Sequence, residues 1–198
     1  MSKSLGNSLL MEDLRKEYHI EVIKLALLQN SYHTDINITD KLFEDSEKHL
    51  YNFYTILNDA QKKFGAFNGN NEKVENNFDD AMRDDLNTSK AISYLFNIFK
   101  EAKEKLQNND RSVMALLNSV IITYSLLGLF KESPEKFIAK VDEKTKLDIP
   151  DEVKALAEKR WQAKKDRDFK LADGLREEIQ KLGYLVKDTR DGYDLSKI

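Results

Sequence analysis

The feature that most constrains this sequence is its apolar residues, which recur at helical spacing, segment after segment, from residue 8 to about residue 130. The clearest segment begins at Thr39 or Asp40, either of which can cap a helix, and runs to about Phe64. Its apolar residues form a near-heptad stripe: Phe43, Leu50, Phe53, Tyr54, Leu57 and Phe64. Such a stripe is typical of the buried face of a helix in an antiparallel bundle.

Further helices are predicted on both sides of this one. Two short ones precede it, and three follow the Gly/Asn-rich loop at residues 65–71. Gly128 suits the left-handed C-terminal cap of the last of them. Because the connections are short, we expect an up-and-down helical bundle over residues 39–130. Residues 1–38 are predicted to form a loop and connecting helices.

The last third of the chain changes character. Residues 131–149 are charged and weakly periodic, and we predict a linker with at most one helical turn. Two helices follow, the first opened by Pro150 and the second capped by Asp168. The second should bury five apolar residues: Leu171, Ala172, Leu175, Ile179 and Leu182. A strand and a hairpin turn at 191–192 complete an ααββ module over residues 150–198. The predicted fold class is mainly α: an antiparallel helical bundle, then this module with its C-terminal hairpin.

Composition narrows the class of protein further. A formal net charge of -3 argues against indiscriminate coating of nucleic acid and leaves room for a local basic patch. The sequence has no Cys, which excludes disulfides and a thiolate zinc site. Its three His residues are scattered, and the sequence shows no metal-ligand motif and no apolar run long enough to span a membrane. We expect a monomeric cytoplasmic protein that holds no metal.

The first seven residues, Met1 to Asn7, interleave small, hydroxylated and basic side chains. Lys3 offers a mobile positive charge there, and its small neighbours let backbone N–H groups approach an anion. The pattern suits a polyphosphate, and an ordinary polar N-terminal tail is the alternative interpretation of so short a stretch.

A second candidate site lies at residues 159–170, which carry a local excess of four positive charges and two aromatic residues. The charged residues are Lys159, Arg160, Lys164, Lys165, Arg167 and Lys170 against Asp166 and Asp168. Basic side chains attract phosphates, and a ring such as Trp161 or Phe169 can stack on an unpaired base. Asp173 and Asp188 could accept hydrogen bonds from base edges. The alternative is a solvated helix face with both rings in the core.

These segments together resemble one family. Residues 164–173, followed by Arg176, Gly183 and Asp188, resemble the C-terminal signature of cysteinyl-tRNA synthetases. The MSKSLGN run at residues 1–7 resembles the KMSKS loop of class I aminoacyl-tRNA synthetases without its first Lys. Two further segments resemble the same family in matching order and spacing: residues 81–88, and residues 21–24 with Tyr32 and Asn37.

The resemblance implies the C-terminal portion of an ATP-dependent cysteine–tRNA ligase, from the KMSKS loop onward. It makes Lys3 a catalytic residue in an ATP-binding loop that consists of Met1, Ser2, Lys3 and Ser4. It also implies that four residues contact the anticodon of the tRNA for cysteine: Lys164, Phe169, Asp173 and Asp188. ATP and zinc are expected in the longer enzyme. Since this sequence lacks the nucleotide fold and the zinc ligands, we expect the chain alone to be inactive.

The sequence departs from the family pattern at three basic positions. Lys24 and Lys164 stand where Arg is usual, and His33 replaces Arg in the connector. Lys keeps the charge but loses the bidentate fork, so a contact of Lys164 with phosphate or guanine would be weaker. Two other functions stay open: a free-standing tRNA-binding or interaction module, and a ligase that joins cysteine to a small amine. Ligases of the latter kind lack the module at residues 150–198.

Overall fold

The computed structural model describes residues 11–67, 76–147, 149–189 and 192–197. The predicted ATP-binding residues Met1, Ser2, Lys3 and Ser4 lie outside the described residues, as does Asp191 of the predicted hairpin turn. Helices dominate the described part, which confirms the mainly-α prediction. The chain divides into two compact units, one that ends at Ile138 and one that begins at Ala139.

The first unit is a bundle whose helices begin and end where local signals predict. Its elements are α1 (Met11–Glu17), α2 (Ile20–Leu28), α3 (Asp40–Phe64), α4 (Asn76–Arg83), α5 (Thr88–Gln107), α6 (Val113–Tyr124) and a 3-10 turn (Ser125–Leu127). Thr39 caps α3, since its Oγ1 accepts a hydrogen bond from the Leu42 amide at 3.3 Å. Gly128 ends the 3-10 turn with φ 74°, in the left-handed conformation predicted for it.

Aromatic side chains form the centre of the bundle core. The α3 stripe is buried at Phe43, Leu50, Phe53, Tyr54 and Leu57, which confirms the helix face predicted from its spacing. Phe53 stacks on Phe99 of α5 with ring centroids 4.2 Å apart. The buried Tyr124 hydroxyl donates to the Ala91 carbonyl at 2.7 Å, so the ring is buried without leaving a polar group unpaired.

Helix α7 (Pro134–Leu147) corrects the prediction for residues 131–149. Instead of a linker with at most one helical turn, the chain forms a helix of 14 residues. Phe137 is fully buried; its ring stacks on Tyr54 at 4.2 Å and meets His19 edge-on at 5.0 Å. A single aromatic anchor supplies the tertiary packing that stabilises this charged helix, and one residue leaves little trace in periodicity.

The second unit contains α8 (Asp151–Lys165), α9 (Phe169–Lys181), β1 (Tyr184–Asp188) and β2 (Tyr193–Lys197). The strands pair antiparallel, with Val186 opposite Leu195. Its core holds Ile149, Val153, Ala157, Ile179 and Val186, with Leu156, Tyr184, Tyr193 and Leu195 packed against it. The described elements confirm the predicted ααββ order.

The inner face of α9 differs from its prediction. Only Ala172 and Ile179 of the five expected residues are buried, whereas Leu171 is 52% and Leu182 43% exposed. Among the described residues, α9 packs mainly against α8 and β1, so only a narrow stripe of α9 is covered. In so short a module, an apolar stripe therefore predicts more buried residues than the fold can cover.

Candidate nucleic-acid interface

The turn between α8 and α9 places the candidate residues. Asp166 and Arg167 form it, and Arg167 takes a left-handed φ of 63°. The Asp168 amide donates to the Ala163 carbonyl at 2.8 Å. The Asp168 carboxylate then caps α9 by accepting from the Leu171 amide at 3.1 Å, as predicted. These bonds fix Phe169 as the first residue of α9, beside the last turn of α8.

Asp188, the last residue of β1, binds two cations of α8. Arg160 donates from both terminal guanidinium nitrogens, from Nη1 to Oδ1 at 2.8 Å and from Nη2 to Oδ2 at 3.2 Å. Lys164 donates from Nζ to Oδ2 at 2.6 Å. The structure thus brings Lys164 and Asp188, two of the four predicted anticodon residues, into direct contact. We call these three side chains the Asp188 cluster.

Electrostatics at the Asp188 cluster favour the ionised carboxylate. The hydrogen bonds from Arg160, and then those from Lys164, hold the pKa of Asp188 well below its usual range. The Arg160 side chain is only 5% exposed, while those of Lys164 and Asp188 are 33% and 38% exposed. One buried cation, one accessible cation and one carboxylate give the cluster a net charge of +1.

Arg160 is a buried charged residue that was counted in the basic patch but not among the predicted site residues. Its neighbour Trp161, for which the core was the alternative to stacking, is half-buried in the structure. Arg160 follows Val153 and Ala157 at seven and three residues, the spacing of one helix face. That spacing is the signal that could have placed Arg160 inward, where only a paired charge is tolerated.

Phe169 and Asp173 lie on α9, where the described residues of the module leave both of them exposed. The Phe169 side chain is 60% exposed, so the alternative that it belongs to the core is wrong. Asp173 is also exposed and follows it by four residues, which places both on one side of the helix. A ring and a carboxylate so arranged can stack on a base and accept from its edge.

Trp161, the other aromatic residue of the patch, is partly enclosed. Lys165 Nζ lies 5.2 Å from the centroid of its ring, and the Tyr193 ring lies 6.4 Å away. The Tyr193 hydroxyl in turn donates to Glu158 at 3.0 Å. Burial, and then this carboxylate, raise the pKa of Tyr193. The described residues therefore tie Trp161 into the module, which makes Phe169 the accessible ring.

The resembling segments of the bundle form structural contacts with one another. His33 Nε2 lies 2.8 Å from Asp85 Oδ2, which joins the connector after α2 to the turn between α4 and α5. Hydrogen bonds from His33 and Tyr32 lower the pKa of Asp85. Lys24, which stands at a usual Arg position, donates to the Gly128 carbonyl at 3.2 Å. These residues thus brace the bundle.

Within the described residues, no group of three or more His, Cys, Asp or Glu side chains is placed to hold a metal ion. None of the helices in the described ranges is long and apolar enough to cross a membrane.

Comparison with family models decides the assignment. Residues 77–131 match the DALR domain, and residues 147–193 match the cysteinyl-tRNA ligase anticodon binding domain. The second range covers α8, the Asp188 cluster and Phe169. Curated cysteine–tRNA ligases match nearly the whole chain. The chain belongs to the cysteinyl-tRNA ligase family. It corresponds to a C-terminal portion of these enzymes, as the resemblance implied.

Three relatives give the extent of the similarity. The chain is 32% identical over 209 residues to the cysteine–tRNA ligase of Caldicellulosiruptor saccharolyticus, a match that covers 100% of the chain and 43% of the relative. It is 33% identical over 192 residues to that of Chromohalobacter salexigens, with 97% and 41% covered. For the Finegoldia magna ligase the identity is 32% over 201 residues, with the same 97% and 41%. The chain therefore spans about two fifths of the length of the relatives it matches.

Proposed function

We propose that this chain is the tRNA-binding part of an ATP-dependent cysteine–tRNA ligase. In this proposal the bundle supports the tRNA, and the terminal module contacts its anticodon loop. The observation that carries the proposal is Phe169: a ring that is 60% exposed, held at the start of α9, inside the range matched by the anticodon binding model. A large exposed ring beside cationic side chains suits an unpaired base next to phosphates.

Phe169 stacks on a base of the anticodon loop in this proposal, and Asp173 accepts hydrogen bonds from the edge of a base. Both side chains are exposed on α9, so neither requires the module to open. Lys164 and Asp188 complete the same end of the α8–α9 hairpin, since Lys164 lies in the last turn of α8. The tRNA for cysteine is the partner that the ligase family suggests.

The remaining parts of the reaction belong to the longer enzyme. There, by resemblance, Lys3 with Met1, Ser2 and Ser4 would contact ATP, which supplies the adenylyl group for amino-acid activation and releases pyrophosphate. Zinc is likewise assigned to the longer enzyme. The sequence has no Cys, and within the described ranges no group of three or more His, Asp or Glu side chains is placed to hold a metal ion, so these described residues do not fit a zinc site. We propose that the chain alone binds tRNA without charging it.

The test is an affinity measurement with two RNAs, a transcript of the tRNA for cysteine and the same transcript with its anticodon replaced. Wild type should prefer the first. Phe169→Ala should weaken binding by roughly 1–3 kcal/mol, because the base loses the aromatic ring on which it stacks.

Phe169→Leu is the matched control for this experiment, because it keeps apolar volume and removes the flat ring. It should lose nearly as much affinity as Phe169→Ala. Far-ultraviolet circular dichroism of each variant checks that the module stays folded. Equal affinity of wild type for the two transcripts would refute the anticodon role.

A further inference from the structure

The Asp188 cluster suggests a role for its members that differs from base reading. The expectation taken from the resemblance is that Asp188 reads a base edge. The geometry opposes a bidentate contact with a base, because both carboxylate oxygens are already engaged by three donors at 2.6, 2.8 and 3.2 Å. A carboxylate offers about four lone-pair positions, so about one remains. Bidentate pairing with the edge of guanine needs both oxygens to be free.

The charge balance of the cluster points to Lys164 instead. Lys164 and Asp188 alone would form a neutral pair at the surface. The buried Arg160 fork supplies a second positive charge to the same carboxylate, so the ammonium of Lys164 is not fully neutralised. An ammonium has three donors, and Asp188 takes one of them. The other two can bind an anion.

The acidic residues of the neighbouring turn leave this charge in place. Asp166 accepts from the side-chain amide of Gln162 at 3.2 and 3.3 Å, one turn back on α8. Asp168 accepts from the Leu171 amide to cap α9. Neither forms an ion pair with Lys164 among the contacts of the described residues. The partly exposed ammonium of Lys164 and the exposed Phe169 ring therefore flank the same turn.

We propose that Lys164 binds a backbone phosphate of the RNA, and that Arg160 is the positioning residue that makes this possible by neutralising and holding Asp188. This inference rests on the proposed function and changes the roles within it. In this inference Asp188 links β1 to α8 through its ion pairs. Lys164 contacts the phosphate, and Phe169 and Asp173 contact the bases. Lys164 then contributes equally to all anticodons.

The test measures how the affinity of the full chain depends on salt, with two probes: the cysteine tRNA transcript and a short oligouridine. Lys164→Gln should reduce the slope of log affinity against log salt by about 0.7 to 1, since one phosphate contact is lost. It should leave the preference between the two anticodons unchanged. The control is Lys181→Gln, which removes an exposed charge from the far end of α9 and should not change the slope.

Two further variants test whether Arg160 acts by neutralising the charge of Asp188 or only by supporting the fold of the module. Arg160→Met should reduce the slope as Lys164→Gln does, because Asp188 then neutralises Lys164. The double variant Arg160→Met/Asp188→Asn should restore the slope, because Lys164 is again unpaired. If Arg160 were only structural, the double variant would bind no better than Arg160→Met, and the positioning role would be refuted. Fluorescence of Trp161, the single Trp of the chain, reports whether each variant keeps the module folded.

The outcomes distinguish this inference from the proposed function. Loss of anticodon preference in Asp188→Asn, or an unchanged slope in Lys164→Gln with both RNAs, would overturn the phosphate role. If wild type shows no anticodon preference while Lys164→Gln still lowers the slope with oligouridine, anticodon reading fails and the phosphate contact stands. If wild type binds neither RNA, both are wrong.

Discussion

Glu21, at the start of α2, is a carboxylate that is only 2% exposed and surrounded by donors. Its Oε2 accepts from the Tyr54 hydroxyl and the Phe130 amide, both at 2.8 Å. Its Oε1 accepts from the amides of Lys131 and Glu132 at 2.9 and 3.2 Å. Three consecutive N–H groups make an anion-binding turn, and the anion is a side chain of the same chain. Phe130 takes a left-handed φ of 57° in this turn, a strain that these bonds offset.

Glu21→Ala should destabilise the bundle by at least about 3 kcal/mol, because it leaves several buried donors without an acceptor. Glu21→Gln is the matched control for volume. It should cost nearly as much, since its amide NH₂ would face N–H groups. Urea unfolding followed by circular dichroism measures both. A Glu21→Gln variant within about 0.5 kcal/mol of wild type would show that the acceptor role is wrong.

The ionised carboxylate of Asp188 makes the stability of the terminal module depend on pH. Its pKa is lowered in the folded state by Arg160 and then by Lys164. The stabilisation is therefore present above the ordinary carboxyl pKa, near 4, and is lost as pH falls from there towards the lower folded value.

Asp188→Asn should remove part of the acid dependence of stability. Thermal melts at pH 5 and pH 3, followed by Trp161 fluorescence, should differ less for the variant than for wild type. The variant should also be the less stable of the two at pH 5. Equal acid sensitivity of wild type and variant would contradict the ion-pair geometry.

Among single residues, sequence reasoning locates those whose role is local. Thr39 and Asp168 cap helices where their positions suggest, and Gly128 takes the left-handed conformation expected of it. Arg160 and Glu21 were not singled out, because their partners lie 28 and 109 residues away in the sequence. A long-range polar contact leaves no periodic trace, so only the fold reveals it.

Among elements, α3 and α7 show the same contrast. α3 carries a continuous apolar stripe, a capping Thr and a terminating Gly, so its bounds follow from the sequence. Half of the residues of α7 are charged, and the buried Phe137 ring anchors the helix in the core. For α9 the sequence predicts too much burial, because its apolar stripe is wider than the surface available to cover it. Elements are predictable when many residues share the signal.

Phe137→Ala should destabilise the bundle by about 3–5 kcal/mol, as expected for an aromatic residue removed from a core. A linker with one helical turn would tolerate the same change. The control is Lys136→Ala, an exposed neighbour on the same helix, which should stay within about 0.5 kcal/mol of wild type. Urea unfolding checks both. Equal stability of the two variants would contradict the packing of α7.

At the scale of the whole molecule, the two units divide the proposed work. The bundle contains the DALR match, with the braces Lys24–Gly128 and His33–Asp85. The terminal unit contains the anticodon binding match, the exposed Phe169 and the Asp188 cluster. Motif order along the chain was enough to predict the family, because four short segments agreed. It did not reveal that Asp188 and Lys164 bind each other, since their contact depends on how β1 packs beside α8.

The measurement that tests the account most directly is nuclease footprinting of the cysteine tRNA transcript with the full chain. A nuclease specific for single-stranded RNA should cut the anticodon loop less when the chain is bound. Phe169→Leu should restore the cutting at equal protein concentration. Protection confined to other parts of the tRNA, or equal protection by wild type and Phe169→Leu, would contradict the claim that this module binds the anticodon.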